Sequence, residues 1–348
     1  MSYVDPRARQ IPGDDTSVPA PFAHESEEPH AALRHSEAVR AFPGTASMTE
    51  PDAPDAEPGK GGARGRRRAG RGRKPQGGGR AGRNLPAAIA VGVSLGLIVL
   101  ASLLIQPIAL LAVLVAASGV GAWEMARALS TTGARPPLIP LIAGGVLMTG
   151  LAWFEGVDAL ILGLFVTVGA AALWRLADGP AAVRRDFTPS LLIAAYGPFL
   201  LSFAALLVQM DSDDGHLRVI CTLVAVILSD TGGYAAGVFL GKHPMAPRIS
   251  PKKSWEGFAG SVAAAAIGSG ALLFFLLDVP VYWGLLFGAV ISVVAVLGDL
   301  AESMLKRDLR VKDMSNLLPG HGGLMDRLDS ILFAVPTAYL LFSIITAS

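Results

Sequence analysis

The chain has 348 residues, of which 52% are hydrophobic and 16% are charged, and its formal net charge is +1 at pH 7. This apolar excess excludes an ordinary soluble globular protein and is typical of a polytopic membrane protein. The single cysteine, Cys221, excludes an intramolecular disulfide. The first 20 residues contain no apolar stretch, so we expect no cleavable signal peptide.

Residues 1–84 are predicted to form a disordered polar and basic tail. Residues 1–58 combine acidic residues, Ser and Pro without periodicity, and such a segment cannot bury a core. Residues 59–84 contain ten Lys and Arg and no acidic residue. A basic run of this kind could bind nucleic acid through phosphate contacts. Its position directly before the first apolar run favours instead a juxtamembrane segment that lies on anionic lipid.

Residues 85–348 are predicted to form an all-α transmembrane domain of about nine helices. A helix crosses ~30 Å of hydrocarbon with ~20 mainly apolar residues. The apolar runs that meet this length lie at about 85–105, 107–128, 137–154, 157–176, 188–210, 217–240, 257–278, 280–299 and 328–346. Small residues recur in several of these runs, which allows neighbouring helices to pack closely.

The basic residues orient these helices. With the tail in the cytoplasm, fourteen Lys and Arg fall in connections on the cytoplasmic side, and only Arg218 falls on the opposite side. Cytoplasmic connections are enriched in Lys and Arg, and a missed or additional helix would invert every later connection. We therefore predict a multi-pass protein of the cell membrane whose two large basic connections, 241–256 and 299–327, face the cytoplasm.

The first polar constellation lies in residues 229–257, SDTGGYAAGVFLGKHPMAPRISPKKSWEG. Asp230 falls within an apolar run, where a carboxylate costs roughly 2.5–3.5 kcal/mol and normally faces a cavity or a partner. Lys252 and Lys253 are point charges suited to a phosphate group. The alternatives are a structural hydrogen bond for Asp230 and a topology signal for the two lysines.

The second constellation lies in residues 298–308, GDLAESMLKRD. If this stretch is helical, one face carries Asp299, Ser303, Lys306 and Arg307. The alternative is a simple i,i+4 ion pair between Lys306 and Glu302, although that pair leaves Asp299 unexplained at the end of an apolar helix.

The third constellation lies in the sequence LLPGHGGLMDRLDS. Its Pro-Gly pair ends any preceding helix, and the N–H groups of Gly322 and Gly323 could cradle an anion. Asp326 and Asp329 are spaced to project from one face of the following helix, although acidic residues also suit a helix N-terminus.

The roles of two further side chains in this stretch, Arg327 and His321, have more than one interpretation. Arg327 suits an ion pair with a neighbouring aspartate or a phosphate clamp. His321 could donate to a phosphate, act as an acid or base, or form a loop hydrogen bond, and by itself it decides nothing.

Taken together, these residues indicate a site for Mg²⁺ and a nucleotide at the membrane surface. Asp299, Asp326 and Asp329 offer hard oxygen ligands, and the surrounding Lys and Arg suit a polyphosphate. A Mg²⁺ ion bound through one or two carboxylates usually completes its shell with phosphate oxygens and water. The chain contains no Walker A sequence, so a P-loop enzyme is excluded.

The run SMLKRDLRVKDMSNLLPGHGGLMDRLD, residues 303–329, is similar to the signature of the phosphatidate cytidylyltransferases, also called CDP-diacylglycerol synthases. Residues 229–257 also resemble that family, with Gly233 and Ser254 as minor differences. The resemblance covers about 85–348 and leaves the tail outside.

The resemblance implies that the chain transfers the cytidylyl group of CTP to phosphatidate, giving CDP-diacylglycerol and pyrophosphate for phospholipid synthesis. It also implies Mg²⁺, with room for a monovalent cation, and a homodimer. The residues assigned to catalysis are Lys306, Arg307, His321 and Arg327. The residues assigned to substrate binding are Asp230, Lys252, Lys253, Ser303, Lys312, Gly322 and Gly323. The residues assigned to the metal are Asp299, Asp326 and Asp329.

Two other classes of protein compete with this interpretation. A CTP-dependent kinase of a polyprenol or phytol would pair the same kinds of substrate but would have to activate a neutral hydroxyl. A transporter could use Asp230 and Asp299 to line an ion path, but the charges gather in cytoplasmic connections and do not thread the membrane.

Overall fold

The computed structural model describes residues 85–210, 214–318 and 322–347, with side chains from residue 90 onward. The predictions for the tail, residues 1–84, and for His321 lie outside these residues. The helices are α1 Leu85–Ile105, α2 Pro107–Ser130, α3 Leu138–Phe154, α4 Val157–Leu176, α5 Pro180–Ala194, α6 Leu200–Val208, α7 Gly215–Leu240, α8 Trp255–Leu277, α9 Val281–Asp308 and α10 Met325–Ala347.

The predicted all-α membrane architecture is confirmed. Seven helical segments of the described chain are long and apolar enough to cross a membrane. Two shorter apolar helices, Ala90–Ile105 and Leu138–Phe154, correspond to the first and third predicted runs. A π-helical turn at Ala195–Phe199 joins α5 to α6 in one segment, Pro180–Val208. Each of the nine predicted runs therefore coincides with one helical segment.

Three helix ends differ from the approximate predicted bounds. The fifth segment begins at Pro180 rather than near 188, because a proline in the first helical turn needs no N–H partner. The last helix begins at Met325 rather than near 328. Helix α9 continues to Asp308 rather than ending near 299, so Asp299 lies well inside a helix. Ser303, Lys306 and Arg307 of this extension line a cavity, so their polar groups do not face lipid.

A short antiparallel hairpin, not predicted from the sequence, lies between α7 and α8. It consists of β1 Pro244–Ala246 and β2 Ser250–Ser254. Ser254 then caps α8, since its Oγ accepts a hydrogen bond from the Gly257 N–H at 3.1 Å. The hairpin orders a connection whose residues 241–254 include four Lys and Arg and one His.

Glycine contacts bring α7, α8 and α9 close together, as the small residues of these runs predicted. A Cβ atom on Gly257 of α8 would lie 3.0 Å from the Gly233 carbonyl oxygen of α7. A Cβ atom on Gly284 of α9 would lie 2.7 Å from the Gly270 Cα atom of α8. Without Cβ atoms the backbones can touch, which increases van der Waals contact between membrane helices.

Two contacts place the polar residues of α7, α9 and α10 side by side. The Ser229 and Ser292 hydroxyls hydrogen bond at 2.8 Å and join α7 to α9 next to Asp230. A Cβ atom on Gly298 would lie 2.6 Å from the Asp329 carbonyl oxygen, so this glycine lets α10 approach α9. The three helices thus present Asp230, Asp299 and Asp329 to one region.

We expect Gly260→Ala to destabilise the folded protein by about 1–3 kcal/mol, the usual cost of overpacking. The added Cβ atom would lie 3.0 Å from the Gly232 carbonyl oxygen and would clash with the Ala236 side chain, so α7 and α8 would have to separate. Thermal unfolding in detergent measures this change. The matched control is Gly169→Ala on α4, where nothing lies within 4 Å of the added atom. Equal thermal stability of the two variants would contradict the packing argument.

Candidate active site

A polar cavity of about 770 Å³ opens where α7, α9 and α10 meet the hairpin and the connection after α9. Its walls come from chain segments more than 90 residues apart in sequence, so only the folded chain assembles it. The residues that line it are Asp230, Ile249, Ser250, Asp299, Ser303, Lys306, Arg307, Val311, Lys312, Asp313, Asp326, Arg327, Asp329 and Ser330.

Helix α9 supplies one wall of this cavity. Asp299, Ser303, Lys306 and Arg307 all line it, which confirms that they share one face of the helix. The Ser303 hydroxyl donates to Asp299 Oδ1 at 3.3 Å, one turn away. Arg307 donates from Nε to the Ile249 carbonyl oxygen at 2.6 Å and so fastens the hairpin to the end of α9.

The two hairpin lysines, Lys252 and Lys253, have different surroundings. Lys253 forms an ion pair with Asp299, with 2.6 Å between Nζ and Oδ2. Lys252 is exposed, and neither lysine is among the residues that line the cavity. Successive side chains of a strand point to opposite faces, which separates these neighbours. Lys253 is therefore linked to the cavity through Asp299, and the substrate contact of both lysines stays a prediction.

Lys306 joins two carboxylates at the base of the cavity. Its Nζ atom donates to Glu302 Oε2 at 2.5 Å and to Asp326 Oδ1 at 2.9 Å. The i,i+4 pair with Glu302, considered from the sequence as an alternative, is therefore present, and it coexists with a position in the cavity. Glu302 is fully buried, and its Oε1 atom has no hydrogen-bond partner within the described residues.

Asp326 organises the connection between α9 and α10. Besides Lys306, its carboxylate accepts hydrogen bonds at Oδ2 from the Met314 N–H at 2.9 Å and from the Gly323 N–H at 2.7 Å. Both oxygens are thus engaged by the protein, so Asp326 holds the connection in place, and its role as a metal ligand stays a prediction. The Gly323 N–H is directed at Asp326 and is not available to cradle an anion. Gly322 has a φ of +80°, which favours glycine.

Glu124 of α2 holds the same connection from the other side, and it was not predicted from the sequence. This fully buried carboxylate accepts from the Ser315 hydroxyl at 2.6 Å, the Leu324 N–H at 2.9 Å and the Met325 N–H at 2.8 Å. Met325 begins α10, so Glu124 also satisfies N–H groups at that helix N-terminus. The sequence feature that could have indicated this role is the position of Glu124 as an isolated acidic residue in a mainly apolar run.

The remaining predicted residues lie at the walls and mouth of the cavity. Within the described chain, no hydrogen bond or ion pair engages the Asp230 carboxylate. Asp329 Oδ1 accepts from the Ser330 N–H at 2.6 Å. Lys312 and Arg327 are exposed and line the mouth, so their charges can reach a ligand that enters from water.

The carboxylates of the cavity are candidate ligands for a divalent cation. Across the residues that the structure describes, no three or more His, Cys, Asp and Glu side chains are grouped so that they could hold a metal ion alone. Mg²⁺ requires less, because it is often bound by one or two carboxylates together with substrate phosphates and water. Asp299 and Asp329 line one cavity, and the unsatisfied Oε1 atom of Glu302 is a further oxygen donor nearby. These residues fit such a partial site.

Comparisons with known proteins identify relatives of this chain. The profile of the Cytidylyltransferase family matches residues 86–345. The phosphatidate cytidylyltransferase of Mycobacterium bovis is 41% identical over 279 residues, which are 76% of this chain and 90% of the relative. The phosphatidate cytidylyltransferase of Mycobacterium leprae is 42% identical over 283 residues, 77% of this chain and 89% of the relative. That of Pseudomonas aeruginosa is 35% identical over 201 residues, 57% of this chain and 69% of the relative.

The chain therefore belongs to the cytidylyltransferase family, which confirms the resemblance seen in residues 303–329. Its helices and its relatives together identify it as a multi-pass membrane protein. The family match begins at residue 86 and so leaves the tail outside, as expected.

We expect Glu124→Ala to loosen the start of α10 without unfolding the protein. The substitution removes an acceptor shared by three donors, and hydrogen bonds to charged groups contribute about 1.5–3 kcal/mol each. Hydrogen–deuterium exchange at the Leu324 and Met325 amides should accelerate tenfold or more, since about 1.4 kcal/mol corresponds to a factor of ten. Ser118→Ala is the matched control, because Ser118 is a buried polar residue of the same helix whose hydroxyl contacts Thr149 of α3. Equal exchange in the two variants would refute the proposed link between α2 and α10.

Proposed function

We propose that this chain is a phosphatidate cytidylyltransferase, which transfers the cytidylyl group of CTP to phosphatidate and releases pyrophosphate. One observation carries the proposal. Asp299 and Asp329 share a cavity with Lys306, Lys312 and Arg327 at the ends of membrane helices. A water-soluble triphosphate can enter such a cavity from the aqueous side, and a lipid phosphate can enter from the bilayer. Family membership agrees with this reaction.

The reaction is a displacement at phosphorus. An oxygen of the phosphatidate phosphate forms a bond to the α-phosphorus of CTP, and the bond from that phosphorus to the oxygen bridging to the β-phosphorus breaks. The electron pair leaves with pyrophosphate. The attacking phosphate is already an anion, so no general base is required. The main obstacles are repulsion between two anions and their alignment, which positioned cations reduce.

Some cations at the cavity form ion pairs with carboxylates, and others are exposed to water. Lys306 is held between Glu302 and Asp326, so its ammonium group is positioned before substrate arrives. Arg327 and Lys312 are exposed at the mouth and suit the triphosphate and the leaving pyrophosphate. Lys253, paired with Asp299, lies near the membrane helices and suits the lipid phosphate.

Mg²⁺ is proposed as the cofactor, and Asp299 and Asp329 would hold it. When bound, Mg²⁺ neutralises phosphate charge and polarises the bonds to the transferred phosphorus. Asp326 would act through its hydrogen bonds to Lys306, Met314 and Gly323, which fix the connection that carries the mouth residues.

The site is proposed to face the cytoplasm, where CTP is available. The strong asymmetry of Lys and Arg between the two sides of the nine segments supports this orientation. A homodimer, a monovalent cation and contact of the tail with anionic lipid remain predictions that rest on the family resemblance and on composition.

Labelled CTP tests the function directly. Purified protein in detergent, given phosphatidate and CTP labelled at the α-phosphorus, should place the label in lipid. CTP labelled at the γ-phosphorus should release all of its label as pyrophosphate. The converse result, with γ-label in a lipid alcohol, would identify a CTP-dependent kinase and refute the transferase.

The role of the metal can be tested with a titration. We expect chelation of divalent cations to abolish turnover and added Mg²⁺ to restore it. Asp299→Asn should raise the Mg²⁺ concentration for half-maximal activity about tenfold or more, because it removes a carboxylate ligand. Asp308→Asn is the matched control, since Asp308 ends the same helix, is exposed and does not line the cavity. An unchanged Mg²⁺ dependence in Asp299→Asn would exclude Asp299 as a ligand.

A further inference from the structure

Another cavity, with charged side chains in its lining, lies between the connections α2–α3 and α4–α5. It has a volume of about 730 Å³ and is lined by Arg135, Arg175, Asp178, Ala181, Ala182 and Arg185. It shares no lining residue with the candidate active site. Both cavities lie at connections that follow an even number of membrane crossings, so they open on the same face of the membrane.

A buried carboxylate fixes the arginines of this cavity. Asp186 of α5 is fully buried and accepts from Arg175 Nε at 2.7 Å and from Arg185 Nε and Nη2 at 2.8 Å. It also accepts from the Arg135 backbone N–H at 2.8 Å. A buried carboxylate with four donors holds its partners in defined positions, and this links the start of α3, the end of α4 and the start of α5.

The arginines keep unused hydrogen-bonding capacity. A guanidinium group carries five N–H donors, and the Asp186 and Asp178 contacts use one donor from each of two nitrogens in Arg175. The Arg135 side chain is exposed and forms no hydrogen bond or ion pair within the described residues. Three guanidinium groups against two carboxylates leave a net positive charge. The cavity therefore offers fork-shaped donors suited to an anion with several oxygens.

Exposed apolar side chains lie close to these charges in the sequence. On the last turns of α4, Leu173 is 70% exposed and Trp174 is 51% exposed, and Phe187 of α5 is 42% exposed. In a membrane protein such residues face lipid, and tryptophan is enriched at the level of the headgroups. The cavity thus offers phosphate-binding donors at helix ends that lie at the level of the lipid headgroups.

We propose that this arginine cavity binds the phosphate group of an anionic phospholipid that is not a substrate. The guanidinium groups positioned by Asp186 contact the phosphate oxygens, and Arg135 completes the contacts from the exposed side. The same chemistry could bind free phosphate, so the experiment distinguishes the two sources.

The test compares Arg135→Gln with Arg184→Gln in the full chain. Arg135→Gln removes a side chain of the cavity but keeps the backbone N–H that contacts Asp186. Arg184→Gln removes the same charge from the same membrane face, from an exposed residue that does not line the cavity. Native mass spectrometry of delipidated protein in neutral detergent would count bound phosphatidylglycerol and give its Kd, with phosphatidylcholine and inorganic phosphate as the comparison ligands.

The expected result is one tightly bound phosphatidylglycerol whose Kd rises about tenfold in Arg135→Gln and is unchanged in Arg184→Gln. Equal weakening in both variants would show general surface electrostatics and overturn the site. Equal affinity for phosphatidylcholine, or for inorganic phosphate, would overturn its assignment to an anionic lipid. The measurement involves no turnover, so its failure would leave the proposed function untouched.

Discussion

The carboxylate of Asp326 is the contact on which the candidate site depends. It accepts hydrogen bonds from Lys306 of α9 and from the N–H groups of Met314 and Gly323, so one side chain joins a helix to two points of the following connection. Without this contact, Lys306 would lose a partner and the mouth residues would lose a fixed backbone. Glu124 acts on the same connection from α2, and the two acids together hold it against the helices.

This arrangement satisfies a constraint that the membrane imposes. Charged groups near hydrocarbon are costly unless they are paired or hydrogen bonded. The cavity meets the constraint by combining cations and carboxylates, with Lys306 between two acids and Lys253 against Asp299. A polar site can therefore lie within a bundle whose outer surface is apolar. Asp186 and its arginines follow the same principle at the second cavity.

Glycine makes this pairing possible by controlling helix separation. The contact of Gly298 with the Asp329 backbone brings α10 against α9, and the contact of Gly257 with Gly233 brings α8 against α7. These positions bear no functional group, yet they set the distance between Asp299, Asp329 and Asp230. The geometry of the site thus depends on glycines, whose missing side chains allow the helices to approach.

The sequence by itself determined the class of fold, the number of helical segments and most residues of the cavity. Apolar runs long enough to cross a bilayer can be recognised locally, and the periodicity of α9 correctly placed Asp299, Ser303, Lys306 and Arg307 on one face. Only the tertiary structure decided which charges meet. It separated Lys252 from Lys253 and engaged both oxygens of Asp326. It also brought Glu124 to a connection about 200 residues later in the chain. These contacts depend on which distant segments pack together, and local patterns indicate close packing without specifying the partners.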